Sequence, residues 1–418
     1  MAPPPQPPET SESSEPSDMS ESSEPTGFAE PVETTELEPN EADLAAAELT
    51  DEDLARFSRL RRLSQSRRLV GRALGRASTW GPVPEVTGAV RHIAGWVKPT
   101  GPLRIDGYRS FGSGSRVSIT GRVLAGPHPG SAQEGEHSLR SAGRMASRFL
   151  TSEVADVTVE VCYDGAARSI RSDDEGYFRV DFEPDREARK GSRWTVAQAR
   201  ALDHEKGAGP WCPVEVLVVG RDVDRIIISD VDDTILLNGV GAAVRTVLTT
   251  ISGSELTREA VPGAADLYQH LCHPAETGVD RPIFYVSSSP WNLHDFLVAF
   301  LEINEFPPGP LLLRDLGLNR HTFSNSAHRD HKIDSINDIL ERLPEPRVVL
   351  IGDSSLQDAH AFAEIIDTHP GRVEAAFLRD VGDEERTERA KAVLAERDEH
   401  DPPITLITDM AEIVVKLS

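Results

Sequence analysis

Up to about residue 55 the chain has almost no large apolar side chains. Its Pro, Ser, Thr, Glu and Asp cannot bury enough surface to offset the entropy of ordering, so residues 1–55 are expected to be a disordered tail. In residues 56–76, Phe57, Leu60, Leu63, Leu69, Val70 and Leu74 recur loosely at helical spacing. That pattern predicts an amphipathic helix, followed by a linker to residue 83. From 84 to 222 the pattern becomes one of short alternating or β-branched runs, at 117–124, 157–164, 176–182, 193–202 and 214–220. Asp173-Asp174-Glu175-Gly176 has the chemistry of a hairpin turn. A Gly- and Ser-rich stretch over 125–150 ends in a helical candidate at 138–150. A small β-sandwich, serving for binding or scaffolding, is the arrangement these runs predict.

From 223 to 418 the texture changes again. Nearly continuous apolar runs at 225–229, 282–286, 347–351, 374–378 and 404–408 have the character of strands buried on both faces. Helical candidates at 264–271, 293–300 and 333–343 fall between several of them. The expected fold is α/β: a doubly wound parallel sheet whose ligands collect at the C-terminal ends of its strands.

Charge sharpens the division. The 418 residues carry a formal net charge of −25, and the tail supplies more than half of that excess. Nucleic acid is therefore not an expected partner. Residues 56–76 reverse the sign, with eight arginines and no acid. A helix of that kind can lie on an anionic membrane surface, but charged helical faces more often pack on their own protein or, here, neutralise the acidic tail. Cys162, Cys212 and Cys272 are odd in number and widely spaced, which suggests neither a disulfide framework nor a zinc site. The N-terminus lacks the pattern of a secretory signal, and no run approaches the length of a membrane span. A cytoplasmic location, with peripheral contact at the inner membrane face through 56–76, is the expectation.

The candidate chemistry lies where the apolar runs end. The first leads into Asp230-Val231-Asp232-Asp233-Thr234. Two carboxylates two residues apart beyond a buried strand would repel each other unless a cation lay between them, and Mg²⁺ is the natural candidate. Asp233 is read as turned away from the pocket to support the loop. The second run ends at Ser287, Lys332 opens a helical stretch, and Asp353 and Asp358 follow the third run in RVVLIGDSSLQD.

DxDxT after an apolar strand resembles the first motif of the haloacid-dehalogenase superfamily of phosphotransferases, and the other three motifs follow in order. The resemblance implies that Asp230 attacks phosphorus, that Asp232 serves as acid and then base, and that Thr234 shapes the loop. It further implies that Ser287 hydrogen-bonds the phosphoryl group and that Lys332 balances the charge on Asp230 and phosphate. Asp230, Asp232, Asp353 and Asp358 make up the implied metal set, Asp353 binding directly and Asp358 acting through a water or from behind the direct ligands. Phosphate monoesters are inert enough for enzymes to accelerate their hydrolysis by up to ~10²¹-fold. An in-line nucleophile, a proton donor and concentrated positive charge are the parts such chemistry needs.

The motif surroundings narrow the family. SDVDDTI, FYVSSSPWNL, LLRDLGL, HK and IGDSSLQD resemble the catalytic domain of the actin-patch-associated phosphatidate phosphatases, relatives of the lipins. Ser289-Pro290-Trp291 is the most distinctive element. That resemblance implies hydrolysis of phosphatidate to diacylglycerol and phosphate, with Ser288, Ser289 and Trp291 as candidate substrate contacts. Only about 50 residues separate the first two motifs, so a bulky cap over the site is not expected there. The alternatives are the same chemistry on a soluble or protein phosphomonoester, and a scaffold that has lost activity. His294, His328 and His331 are read as hydrogen-bonding or surface residues, and the cysteines as buried apolar side chains.

Overall fold

A computed structural model describes residues 35–37, 102–126, 152–184, 190–203, 207–237, 260–274, 278–314, 325–395 and 402–417. The basic segment 56–76, the helical candidate 138–150, most of the acidic tail and part of the stretch between the first two motifs lie outside the described residues.

The first strand is β1 (Thr35–Leu37), within the acidic tail. It is followed by β2 (Leu103–Gly107), β3 (Ser110–Ser113), β4 (Val117–Ala125) and β5 (Ser152–Glu153). Next come β6 (Thr158–Tyr163), β7 (Ala166–Arg171), β8 (Tyr177–Phe182) and β9 (Arg193–Asp203). β10 (Gly207–Ala208) and β11 (Cys212–Val219) complete the module. These strands form one mixed sheet along the path β1-β7-β6-β9-β11-β3-β4-β2, in which β11 and β3 run parallel. Alternate residues from both halves of the path enclose a single core: Ile119, Val123 and Val180 from one half, Val159, Val161, Ala199 and Val216 from the other.

Two details depart from the sequence expectations. Thr35–Leu37 pairs antiparallel with β7, so these three residues of the expected disordered tail are strand. The turn at 173–176 is present, with Asp173 Oδ1 accepting from the N–H groups of Glu175 and Tyr177 and Gly176 at φ 86°. It is not a hairpin, however. β7 pairs with β6 and β8 pairs with β4, so the turn carries the chain from one part of the sheet to another. Turn residues specify local backbone shape, and the partner strand is chosen by which face must be buried.

The second sheet is wholly parallel. It comprises β12 (Arg225–Asp230), β13 (Ile283–Pro290), β14 (Leu311–Arg314), β15 (Arg347–Asp353), β16 (Val373–Arg379) and β17 (Ile404–Ile407). Their order is β14-β13-β12-β15-β16-β17. The helices are α1 (Ala264–Cys272), α2 (His294–Ile303), α3 (Asn325–Arg342), α4 (Leu356–Thr368), α5 (Glu384–Ala395) and α6 (Ala411–Leu417). Side-chain alternation along the strands assigns them to two faces. Ile227, Tyr285, Val349 and Phe377 share a core with α1, α2 and α6. Ile226, Ile228, Phe284, Val348 and Leu350 share another with α3, α4 and α5. The architecture is thus α/β, with helices against both faces of a parallel sheet, as the doubly buried runs predict. Among the described residues, no helix is long and apolar enough to cross a membrane.

The two sheets are not independent bodies. Tyr108 and Tyr177 of the first lie in the core on one face of the parallel sheet, and Phe111, Leu217 and Val219 lie in the core on the other. The three cysteines are free, Cys162 and Cys272 being buried.

Candidate active site

Three neighbouring parallel strands bring the acidic motifs together. In the order β13-β12-β15, Ser287, Asp230 and Asp353 all stand at or near the C-terminal ends. Crossover helices rise from these ends, so the backbone must open there into loops, which makes the edge a natural crevice. Asp230 is buried, and Thr234 Oγ1 donates to its Oδ2 at 2.9 Å. Its other oxygen, Oδ1, lies 2.6 Å from Lys332 Nζ. Lys332 comes from α3, which packs on the face opposite α1, and its ammonium also bonds Asp358 Oδ1. Asp358 in turn accepts the Asp353 N–H through Oδ2, at 3.1 Å.

The local sequence explains this last arrangement. Ser355 caps α4 by accepting the Asp358 N–H at 3.3 Å, which puts Asp358 in the first turn, where the helix dipole favours an anion. Gly352 lets that carboxylate approach: a β-carbon there would collide with Asp358 and come within 2.9 Å of the Phe362 ring.

Asp232 is half-buried and receives the Ser287 hydroxyl at 2.8 Å on Oδ2. Ser287 Oγ itself accepts the Ser289 N–H at 3.0 Å, so its proton is directed at the Asp232 carboxylate. His331, the residue before Lys332, places Nε2 3.2 Å from the Ser287 carbonyl. The helix that carries the lysine therefore also fastens the end of β13. Ser289 is buried and Ser288 half-buried in the same segment. Trp291 is buried, its ring stacked on Tyr108 of the other sheet at 4.2 Å.

Two arginines that sequence reasoning did not single out complete the site. Arg379 donates to the Asp233 carbonyl at 2.7 and 3.1 Å, holding that residue in the left-handed region at φ 56°. Arg386 bridges Asp233 Oδ2 and Asp353 Oδ2, at 3.1 Å each. Ser355 N–H covers Asp353 Oδ1 at 2.9 Å. Arg379 ends a strand and Arg386 lies on α5, well beyond the last motif, and neither has a sequence pattern that separates it from surface arginines. His294, read as a hydrogen-bonding residue, is buried with Nδ1 3.2 Å from Asp295. The side chain of His328 lies outside the described residues.

Electrostatics set the chemistry. Burial raises the Asp230 carboxyl well above the ordinary carboxylate range; Lys332 opposes this, and Asp358, Asp232 and Asp353 reinforce it. Burial alone would lower the Lys332 pKa, but Asp230, Asp358 and Asp353 reverse that and raise it, so the ammonium stays charged. Asp353 is pushed up to about 6, by burial first and then by Asp358, against Lys332, the Ser355 bond and Arg386.

Four carboxylates thus face the cations of Lys332 and Arg386. Hard oxygen donors with a surplus of negative charge suit a divalent cation such as Mg²⁺ in kind and in charge. Among the described residues, no three acidic, His or Cys side chains converge as a metal-holding group. The expected set is therefore brought into one electrostatic cluster without being assembled round a common point: Asp358 is engaged at both oxygens, and Asp232 is engaged by Ser287.

Residues 225–380 match the family model described as phosphatidate phosphatase APP1, catalytic domain. Phosphatidate phosphatase APP1 of Saccharomyces cerevisiae is 29% identical over 153 residues, which cover 37% of this chain and 25% of the relative. An uncharacterized protein of Schizosaccharomyces pombe is 30% identical over 169 residues, covering 40% of this chain and 27% of the relative. The match spans about a quarter of the length of these curated relatives. Among solved structures, the carbohydrate acetylesterase XAC1771 of Xanthomonas citri aligns with 69% of this chain and 73% of its own at 10% identity. Its TM-score of 0.24 is too low to bear on fold or function. The matched segment includes Asp230, Ser287, Lys332 and Asp353 on their strand ends and helix, and over residues 225–380 the chain is similar to the catalytic domain of the APP1 phosphatidate phosphatases.

Proposed function

We propose that the α/β unit is a phosphatase of the haloacid-dehalogenase type that hydrolyses phosphatidate to diacylglycerol and phosphate. The observation that carries this reading is the pairing of Asp230 with Lys332, beside a second carboxylate, Asp232, that is oriented by a strand-end serine. The choice of phosphatidate rests on the family match over residues 225–380.

The substrate phosphorus sits in line with the Asp230 carboxylate, which attacks it to form an aspartyl-phosphate as the bond to the leaving oxygen breaks. Asp232, protonated, gives its proton to that oxygen, so diacylglycerol departs as the alcohol. Asp232, now ionised, takes a proton from water as the water attacks phosphorus, which frees Asp230 and phosphate. Lys332 opposes the burial and the three nearby carboxylates that raise the Asp230 carboxyl, and so favours the ionised nucleophile at the first step. The Ser287 hydroxyl fixes the orientation of Asp232 across both proton transfers. Mg²⁺, held by Asp230 and Asp353, would neutralise charge on the phosphoryl oxygens.

Trp291, a candidate substrate contact, is buried against Tyr108, which does not favour an acyl chain over a soluble ester. The same chemistry on a soluble phosphomonoester is therefore the reading to set against phosphatidate. Phosphate release is measured from phosphatidate in mixed micelles, with Mg²⁺ or EDTA, beside a panel of soluble phosphomonoesters. Mg²⁺-dependent release favouring phosphatidate is expected. Release from soluble esters alone would discard the lipid substrate, and no release from any would leave a scaffold.

A further inference from the structure

The β-module meets the parallel sheet next to its most irregular strand. β13 shifts register between Ser287 and Pro290, so the peptide units of Ser288 and Ser289 leave the regular ladder with β14. A bulged strand end is placed by whatever anchors its two sides. On the near side the anchors are the Ser287 bonds to Asp232 and His331. On the far side the first large side chain is Trp291, four residues on, and its ring stacks on Tyr108 with 22° between the planes.

Tyr108 is itself rigidly held. It lies at the corner between β2 and β3, where its N–H donates to the Thr120 carbonyl at 3.1 Å. Its own carbonyl accepts the Ser110 hydroxyl at 2.9 Å, and Ser110 Oγ accepts the Thr120 N–H at 2.9 Å. His294 packs against the ring at 4.9 Å. Tyr177, under the Arg122 guanidinium, closes the cluster at 6.4 Å. Tyr108 is 4% exposed and Trp291 8%, so the stack is a buried joint.

We propose that Tyr108 is a positioning residue for the phosphatase reaction: through Trp291 it fixes the bulged segment that carries Ser287, Ser288 and Ser289. The β-module then supplies part of the frame of the active site. This inference rests on the phosphatase reading only for its kinetic consequence. Tyr108 touches no reacting group. It acts by holding the Ser287 hydroxyl where it can orient Asp232, a placement in which displacements of about 1 Å cost on the order of 100-fold in rate.

The test uses the full chain carrying Tyr108→Leu, which keeps apolar volume but removes the flat ring, together with Tyr108→Phe. Phe111→Leu serves as a control that perturbs the joint on the opposite face of the sheet. Amide hydrogen exchange is followed at Ser288, Ser289 and Trp291, and kcat and KM are measured with a soluble aryl phosphate in Mg²⁺. In Tyr108→Leu those amides are expected to exchange at least about tenfold faster while β12 and β15 keep their wild-type rates. The kcat should fall about tenfold or more, with KM changed by less than about threefold. Tyr108→Phe should restore both, and Phe111→Leu should alter neither. Unchanged exchange at the three amides in Tyr108→Leu would overturn the proposal, as would an equal rise throughout the parallel sheet. If the wild type releases no phosphate from any ester, the phosphatase reading falls, and the exchange comparison still decides the role of Tyr108.

Discussion

Lys332 Nζ lies 2.6 Å from Asp230 Oδ1 and also bonds Asp358 Oδ1, so a single buried ammonium serves two carboxylates, one at the end of β12 and one in the first turn of α4. Removing a partner from a buried ion pair costs more than the pair is worth, because the remaining charge is left without compensation.

Lys332→Met should therefore lose activity by at least about 100-fold. It should also lose about 3–5 kcal/mol of stability near neutral pH, measured by denaturant unfolding. The stability loss should be smaller at pH 5. Without the ammonium, which opposes the upward shift of the Asp230 carboxyl, the folded-state pKa of Asp230 rises further, so the folded state holds that proton more tightly than the unfolded one and stability falls as pH rises. A loss independent of pH would mean that these carboxylates are not paired through Lys332.

Asp353 supplies a second pH test with the same sign. Its carboxyl is pushed up to about 6, against an ordinary value of 3.8. The folded state thus binds the proton more tightly, and the metal-free protein should lose stability from this group as pH rises from about 4 through 6. Asp353→Asn removes that penalty. In EDTA its melting temperature should exceed that of the wild type at pH 7.5, and the gain should vanish at pH 4. Thermal unfolding of both proteins at the two pH values checks this, and Mg²⁺ should raise the melting temperature of the wild type more than that of the variant.

The sequence shows some of these relationships and hides others for identifiable reasons. Five of the six strands of the parallel sheet are legible because β-branched and aliphatic runs such as Ile226-Ile227-Ile228 and Val348-Val349-Leu350-Ile351 have few other uses. β14 is only Leu311–Arg314 and follows Pro307-Pro308-Gly309-Pro310, a context that reads as a turn. Asp230, Ser287 and Asp353 follow apolar runs and, with Lys332 on its helical stretch, fit an ordered set of motifs, so they could be named as candidates without coordinates. Arg386 could not, since its partners Asp233 and Asp353 are 153 and 33 residues away and only the fold brings them together. Trp291 shows the opposite limit. Its sequence neighbourhood points to the site, but its environment is decided by Tyr108, which lies in a stretch with no strong pattern.

Ser287→Ala isolates one further contact. The variant removes the hydroxyl that donates to Asp232 Oδ2 and accepts the Ser289 N–H, and leaves a methyl-sized side chain in place. Stability should fall by about 1 kcal/mol, the ordinary net value of a hydrogen bond. The kcat should fall by about 10- to 100-fold, with a larger effect on esters whose leaving groups need the proton from Asp232. An equal loss across activated aryl esters and poor alkoxide leaving groups would place Ser287 on the phosphoryl group alone.

The joint between the two sheets should make them unfold together. Phe111 belongs to the first sheet by its backbone, but its ring meets Phe284 of the parallel sheet edge-on at 5.0 Å. The Arg342 guanidinium covers that ring at 4.6 Å, and Arg179 reaches Asp338 of the same helix at 3.2 Å. With Tyr108 and Tyr177 seated on the opposite face, the module contributes side chains to the cores on both faces of the parallel sheet. Phe111→Ala should cost about 3–5 kcal/mol, the range for truncating a buried phenylalanine. Calorimetry of the wild type should show one transition whose calorimetric and van't Hoff enthalpies agree for residues of both sheets. Two resolved transitions, with Phe111→Ala lowering only the one assigned to the β-module, would mean that the sheets fold as separate domains in loose contact.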